Sequence, residues 1–251
     1  MSEISLITFS PTGSTLRVAQ AIANGIGTQT QAIDLSLPHS RDTVCLSPLA
    51  VIAMPVYAGR VPSVAVERLR ELSSRRAKAI TVVVYGNRAY EDALLELNDE
   101  VEELGFDIIA SAAVVAQHCV VPNLATGRPN EEDLEELRTF GLTVKTRLKK
   151  EMIQPINVPG NRPYRDGMTV SATPIVGEGC VGCRTCVTKC PTQAISMSDP
   201  KSTDLSKCIL CMRCVNVCPA RARMLPPPMQ AGMATKLAPF VELRRENEFF
   251  F

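Results

Sequence analysis

Eight of the ten cysteines in this chain fall in two copies of one spacing, and that repeat constrains the fold more than any other feature. Cys180-Val-Gly-Cys-Arg-Thr-Cys-Val-Thr-Lys-Cys-Pro191 and Cys208-Ile-Leu-Cys-Met-Arg-Cys-Val-Asn-Val-Cys-Pro219 both read C-x2-C-x2-C-x3-C-P, at an offset of 28 residues. Three cysteines within seven residues can wrap three irons of one cubane, and the remote fourth thiolate then comes from the other copy. The spacing assigns Cys180, Cys183, Cys186 and Cys218 to one 4Fe-4S cluster, and Cys208, Cys211, Cys214 and Cys190 to a second. Pro191 and Pro219 turn the chain directly after each exchanged ligand. Structural zinc is the competing reading, but zinc takes paired C-x2-C motifs in a tetrahedron and leaves no place for the third cysteine. Between Gly177 and Leu225 seven Lys/Arg stand against three acids, a net of +4. Two oxidised cubanes with their thiolates carry about −2 each by formal count, so the segment offsets them. Cys45 and Cys119 are left as buried or partly buried thiols with no ligand role. Gly177-Glu-Gly-Cys-Val-Gly182 spells G-x-G-x-x-G, but it follows no strand, opens no helix and contains a cluster ligand, so it is no dinucleotide fingerprint.

Ahead of the repeat, short apolar runs alternate with helical periods. Strands are expected at Ile4–Phe9, Gln31–Leu35, Leu49–Ala53, Ala79–Tyr85 and Ile108–Val115. Helices are expected at Thr15–Gly25, Ser63–Leu72, Tyr90–Leu104 and Asn130–Lys150, with Gly25 and Gly27 stopping the first. Strands that alternate with helices pair in parallel, because each parallel neighbour needs a crossover. The expected fold is therefore α/β, a doubly wound five-stranded parallel sheet of order 2-1-3-4-5 over residues 1–150. Residues 151–174 hold four prolines and two glycines without a period and read as a linker. Residues 175–226 form the cysteine unit, closed by Pro226-Pro-Pro228, and 227–251 form a tail in which a helix would be interrupted at Pro239. Three terminal phenylalanines are left to dock. The acidic run Glu91–Glu103, with seven carboxylates, reads as the solvated face of a helix. Twenty-seven basic against 26 acidic side chains argue against nucleic acid as a partner. No segment reads as a signal peptide or a membrane span, and the reduced-thiol chemistry suits a cytoplasmic location.

The turn after the first strand is Ser10-Pro-Thr-Gly-Ser-Thr15. Hydroxyls at Ser10, Thr12, Ser14 and Thr15, the glycine at Gly13 and a helix N-terminus make an anion cradle. With no lysine and no G-x-x-x-x-G-K-[ST], the cradle suits a terminal monophosphate such as that of FMN, and alone it would also suit a plain capping turn. In a doubly wound sheet ligands sit outside the carboxyl ends of the strands. Two further loops emerge on that edge, Pro55-Val-Tyr-Ala-Gly-Arg-Val-Pro62 and Tyr85-Gly-Asn-Arg-Ala-Tyr90. They carry three of the four tyrosines, and an aromatic face is what a flat isoalloxazine stacks on. Pro55, Val56, Tyr57, Ala58 and Gly59 in one loop, and Tyr85, Gly86, Asn87, Arg88 and Tyr90 in the other, are the expected flavin contacts. Of the two histidines, His39 and His118, the second sits just past the fifth strand and serves either a structural or a ligand-donating role. Arg128 reads equally as an anion contact or a solvated side chain.

The first loop resembles the phosphate loop of flavodoxins. Together with the two flavin-type loops and the cysteine repeat, the sequence to about residue 225 resembles flavodoxin–ferredoxin fusion proteins of anaerobic microbes. His118, Gly127-Arg-Pro129 and Pro163-Tyr164 also stand where such fusions tend to have them. The resemblance implies FMN in the first domain, two 4Fe-4S clusters in the second, and electron transfer with low-potential, ferredoxin-type protein partners. Three functions follow: a converter between one- and two-electron carriers, an FMN reductase of a small organic substrate fed by its own clusters, or a flavin-free docking module. The first needs no catalytic acid–base residue.

Overall fold

The computed structural model describes residues 3–38, 45–72, 77–148 and 155–251. His39, the last two residues of the expected fourth helix and the first four of the linker lie outside them. The first half is built as β1 (Glu3–Thr8), α1 (Ser14–Ile26), β2 (Gln29–Asp34), β3 (Leu49–Pro55), α2 (Ser63–Leu69), β4 (Lys78–Tyr85), α3 (Ala93–Glu103), β5 (Asp107–Val115) and α4 (Glu131–Arg147). Strands β1 to β5 pair in parallel in the order 2-1-3-4-5. One apolar core fills the α1/α4 face around Ile4, Leu6, Ile22, Val51 and Leu137. A second fills the α2/α3 face around Ile7, Ile52, Leu69, Val83 and Leu97. A sheet covered on both faces needs strands apolar on both sides, and β3, every residue of which is buried, is that case. Gly27 ends α1 in the left-handed region (φ 72°), as expected of a C-terminal glycine. Gly25 has another job than stopping the helix. A Cβ there would lie 2.0 Å from the Arg138 carbonyl oxygen, and one on Gly141 would lie 2.1 Å from that of Ile22, so the pair lets α1 and α4 cross backbone to backbone.

The sheet has six strands, not five. After the cysteine unit, α7 (Pro227–Leu237) and a short 3-10 turn lead the chain back to β8 (Glu248–Phe250), which pairs antiparallel to β5 (Ser111↔Phe250, Ala113↔Glu248). The triple proline opens this helix, because the first turn of a helix leaves those N–H groups unused. Two of the terminal phenylalanines dock on α4, Phe249 stacking on Phe140 at 4.7 Å with Phe251 at 5.3 Å from the same ring, while Phe250 packs against the α2/α3 core.

Residues 155–174 carry no helix or strand but are tied to α3. Asp92 accepts from Asn161 N and Arg165 N at 2.9 and 2.8 Å, and Asp99 takes Arg162 and Tyr164. Glu96 takes the Arg60 guanidinium and the Val61 amide, and Glu100 takes Arg70. The acidic run is thus a row of anchors for the linker and the β3–α2 loop, not only a solvated face. No described helix is long and apolar enough to cross a membrane.

Candidate functional site

The cysteine repeat is also a conformational repeat. Helices α5 (Thr185–Thr188) and α6 (Arg213–Asn216) start 28 residues apart, and so do three pairs of left-handed residues: Gly182 and Leu210, Arg184 and Met212, Gln193 and Arg221. Leucine, methionine and arginine rarely adopt positive φ, so the recurrence means that the loops around the thiols demand that conformation. Each exchanged cysteine accepts an amide at 3.3 Å four residues on, Ala194 N to Cys190 Sγ and Ala222 N to Cys218 Sγ. β6 (Ile175–Val176) and β7 (Arg223–Met224) close the unit as an antiparallel pair.

Four thiols, Cys180, Cys183, Cys186 and Cys218, line one narrow cavity. The other four are mutual neighbours: burial pushes Cys211 up to about 12, and the sulfurs of Cys214, Cys190 and Cys208 push it the same way. Cys214 is pushed up to about 11 by burial, and Cys208 is raised by it as well. Buried thiols of this kind ionise only beside a compensating cation, which iron supplies. Two nitrogens of Arg213, inside the second cysteine loop, are buried without a partner among the described residues, and an anionic cluster is an acceptor they lack. The residues present therefore fit cluster binding.

At the carboxyl edge of the sheet, Gly13 (φ 98°) turns the chain into α1, and Ser10 Oγ accepts the Leu16 amide at 2.9 Å. The serine at the head of the loop is thus engaged in the turn itself. Thr15 is buried, whereas Thr12, Gly13, Ser14 and Arg17 line a cleft of about 440 Å³. The far wall of this cleft is Met212, Val215 and Asn216, the second cysteine loop and its helix. No sequence signal marked those three, because they read as spacers between ligands. His118 lines the cleft too. Its Nδ1 accepts the amides of Val120 and Val121 at 3.2 and 3.1 Å, so the ring proton sits on Nε2, and burial with Arg88 nearby lowers its pKa to about 4. Arg128, also on the cleft, is neither solvated nor free: Asp133 and the Arg245 carbonyl hold its guanidinium.

The two flavin-type loops are placed differently from one another. Pro55 ends β3, Val56 N donates to Val84 O, and Tyr57 and Arg60 exchange backbone bonds across a tight turn. Ala58 (φ 52°) and Gly59 (φ 84°) make the turn, and a Cβ on Gly59 would lie 1.9 Å from Glu91 Oε2. Tyr57 lines a second groove of about 1000 Å³ beside Cys208, and its phenol is raised by burial and by Cys211 and Cys119. Tyr85 and Tyr90 pack edge to face at 5.3 Å inside the core, and Tyr90 OH donates to Glu248 at 2.9 Å. Asn87 is buried, donating to Phe240 O and Leu243 O and accepting from Arg245 N. Gly86 admits the His118 ring, whose Cδ2 would lie 2.4 Å from a Cβ there, and Arg88 pairs with Glu91 at 2.7 Å. None of the three tyrosines lines the 440 Å³ cleft: Tyr57 lines the other groove, and Tyr85 and Tyr90 are buried. The returning tail supplies the carboxylate that Tyr90 binds and the carbonyls that Asn87 binds.

The cysteine unit sits on this same edge. Leu210, Met212 and Leu225 pack with Val120, Val121 and Leu124 of the loop after β5, and Arg68 of α2 donates to Pro191 O at 2.5 Å.

Residues 179–222 match the family model described as a 4Fe-4S dicluster domain. No curated protein matches the chain. Among solved structures, a flavodoxin from the domain Archaea shares 16% identity over 59% of this chain and 99% of its own, with a TM-score of 0.44. Oxidised flavodoxin 1 from Bacillus cereus shares 17% over 58% of this chain and 98% of its own, at 0.43. The Flv1 flavodiiron core from Synechocystis sp. PCC6803 shares 19% over 60% of this chain, at 0.46, and only 37% of that protein is spanned. The strand order itself fixes the first fold. A sheet of order 2-1-3-4-5 ahead of a 4Fe-4S dicluster domain is consistent with a flavodoxin–ferredoxin fusion.

Proposed function

We propose that this chain is an electron-transfer flavoprotein, with two 4Fe-4S clusters in residues 175–226 exchanging electrons with FMN held at the carboxyl edge of residues 1–150. One observation carries the reading. The 440 Å³ cleft has the phosphate-type loop as one wall and the helix between cluster ligands Cys211 and Cys218 as the other. A ligand there would touch both redox units at once. Thr12 and Ser14 would donate hydroxyls to the FMN phosphate beside the N-terminus of α1, and Nε2–H of His118 would face the same ligand. FMN accepts electrons singly or in pairs whereas each cluster takes one, so the pairing couples one- and two-electron partners. The chain's own part is to hold the units together: Arg68, the anchored linker and β8 fix the cysteine unit over the edge. Such a protein would work in a reducing, cytoplasmic setting with low-potential redox proteins as partners.

Iron, sulfide and flavin content of anaerobically prepared protein tests the cofactors, with about eight irons, eight sulfides and one FMN expected. Reducing the clusters should then reduce FMN at a rate independent of protein concentration. Equally fast flavin reduction after removal of the cluster ligands would defeat the reading. A flavin-free docking module draws support from Tyr85 and Tyr90, whose rings are enclosed by the core and the tail. Reduction of a small organic substrate draws it from the 1000 Å³ groove that reaches Cys208. Absence of flavin would favour the module, and turnover blocked by filling the groove would favour the reductase.

A further inference from the structure

The two cysteine sets stand differently toward solvent. Cys190 and Cys211 are buried, and the second set leans on the sheet through Met212, Leu210 and the Pro191 carbonyl. The first set faces away: Val181, Gly182, Cys183 and Arg184 are all exposed. Val181, which lines its cavity, is 72% exposed, and Ile175 and Met224 of the β6–β7 pair are 44% and 41% exposed. Ile175 and Met224 are paired directly across the β6–β7 ladder, so they share a face, and a Cβ on Gly177 would lie 3.4 Å from the Met224 methyl. Single exposed apolar residues are ordinary, but a cross-strand pair with both side chains open to water is a small patch.

Charge gives the patch its sign. Arg184 lines the cavity, Lys201 follows the lining Pro200, and Arg221 lies between the lining Ala220 and Ala222. All three are exposed, and none has an ion-pair partner among the described residues, although most other arginines described here are paired. The exposed carboxylates of the same stretch are Glu178, Asp199 and Asp204; Asp199 is bonded to the Lys201 amide and Asp204 pairs with Lys207.

We propose that this face is the docking surface for a small acidic one-electron carrier protein, so that electrons enter through the first cluster and pass to the second. The carrier loses one electron and the oxidised first cluster gains it, with no bond made and no proton moved. The inference rests on the two-cluster reading and not on the flavin.

The test uses the whole cluster-loaded chain and a reduced, small acidic ferredoxin as the probe. Opposite charges steer association, so the second-order rate of cluster reduction should fall about tenfold or more between low and high salt. Arg184→Glu, Lys201→Glu and Arg221→Glu together should lower the low-salt rate by a similar factor. Photoreduced deazariboflavin, a small probe without that charge, should reduce wild type and a Lys201→Glu, Arg221→Glu variant, which keeps the cavity-lining Arg184, alike. With both proteins oxidised, carbodiimide cross-links should join Lys201 to carboxylates of the carrier and vanish at high salt. A salt-insensitive rate, a faster rate with a basic carrier, or cross-links confined to the sheet domain would overturn the proposal. If the triple variant loses iron, the wild-type salt series and cross-link map decide alone. A chain that binds no cluster would sink the cofactor reading and this proposal together, whereas full iron with no salt effect would sink only this proposal.

Discussion

Asn87 separates two roles for one residue, flavin contact and tail anchor. Its φ of +60° suits glycine as well as asparagine, so Asn87→Gly removes the side chain without adding backbone strain. Three hydrogen bonds go with it: Nδ2 to Leu243 O at 2.6 Å, Nδ2 to Phe240 O at 3.1 Å, and Arg245 N to Oδ1 at 3.3 Å. The partners are partly open to water, which puts each of the shorter bonds near 1 kcal/mol and the long one lower, about 2–3 kcal/mol in all. Spread over the opening of the tail, that is about a 30- to 150-fold rise in the open population. Hydrogen exchange followed by mass spectrometry on the peptide over 244–251 should show it, with the partner strand β5 less protected at Ser111–Ala113. The reasoning is refuted if exchange of that peptide is unchanged while FMN affinity falls, because the side chain would then face the ligand and not the tail.

The cross-over of ligands predicts that Cys218→Ala empties the cavity of Cys180, Cys183 and Cys186, while Cys190→Ala empties the other set, each leaving about four irons instead of eight; loss of iron from the mutated repeat's own set would contradict it. In the phosphate loop, Thr12→Val and Ser14→Ala should weaken FMN by about 1–3 kcal/mol and barely affect riboflavin, whereas Thr15→Val, at a buried position, should act on stability. Gly141→Ala places a Cβ 2.1 Å from the Ile22 carbonyl oxygen, where no flexible side chain can give way, and should cost about 1–3 kcal/mol in thermal unfolding. For acid, burial pushes Asp92, Asp99 and Asp133 up, but amide, arginine and tyrosine donors outweigh it and hold all three below the ordinary carboxylate value. A depressed carboxyl stabilises the fold above its unfolded value of about 3.9 and loses that contribution as pH falls through the folded one. Proteolysis of the linker should therefore rise below about pH 4 and not between pH 6 and 8; a rise near neutral pH would rule Asp92 and Asp99 out as its anchors.

Local chemistry wrote much of this protein into its sequence. Strand runs such as Ala79–Tyr85 and the period of α1 needed only their own residues, because burial on both faces of a sheet leaves an apolar run and burial of one helix face leaves a 3.6-residue period. The cysteine spacing likewise carries its own geometry, since a cubane sets how far apart three neighbouring thiols can stand. The sequence therefore determined the doubly wound order and the cysteine repeat. Tertiary structure decided what happens at the edge where the halves meet. β8 is three residues long and pairs with a strand more than 130 residues earlier, a contact that no local period announces. Tyr90 and Asn87 look like ligand-facing loop residues until Glu248 and the carbonyls near Leu243 arrive beside them. Met212 and Val215 look like spacers until the cysteine unit folds down onto the cleft. A buried polar group takes whatever partner reaches it, and which partner does so depends on long-range contacts that residue type alone does not encode.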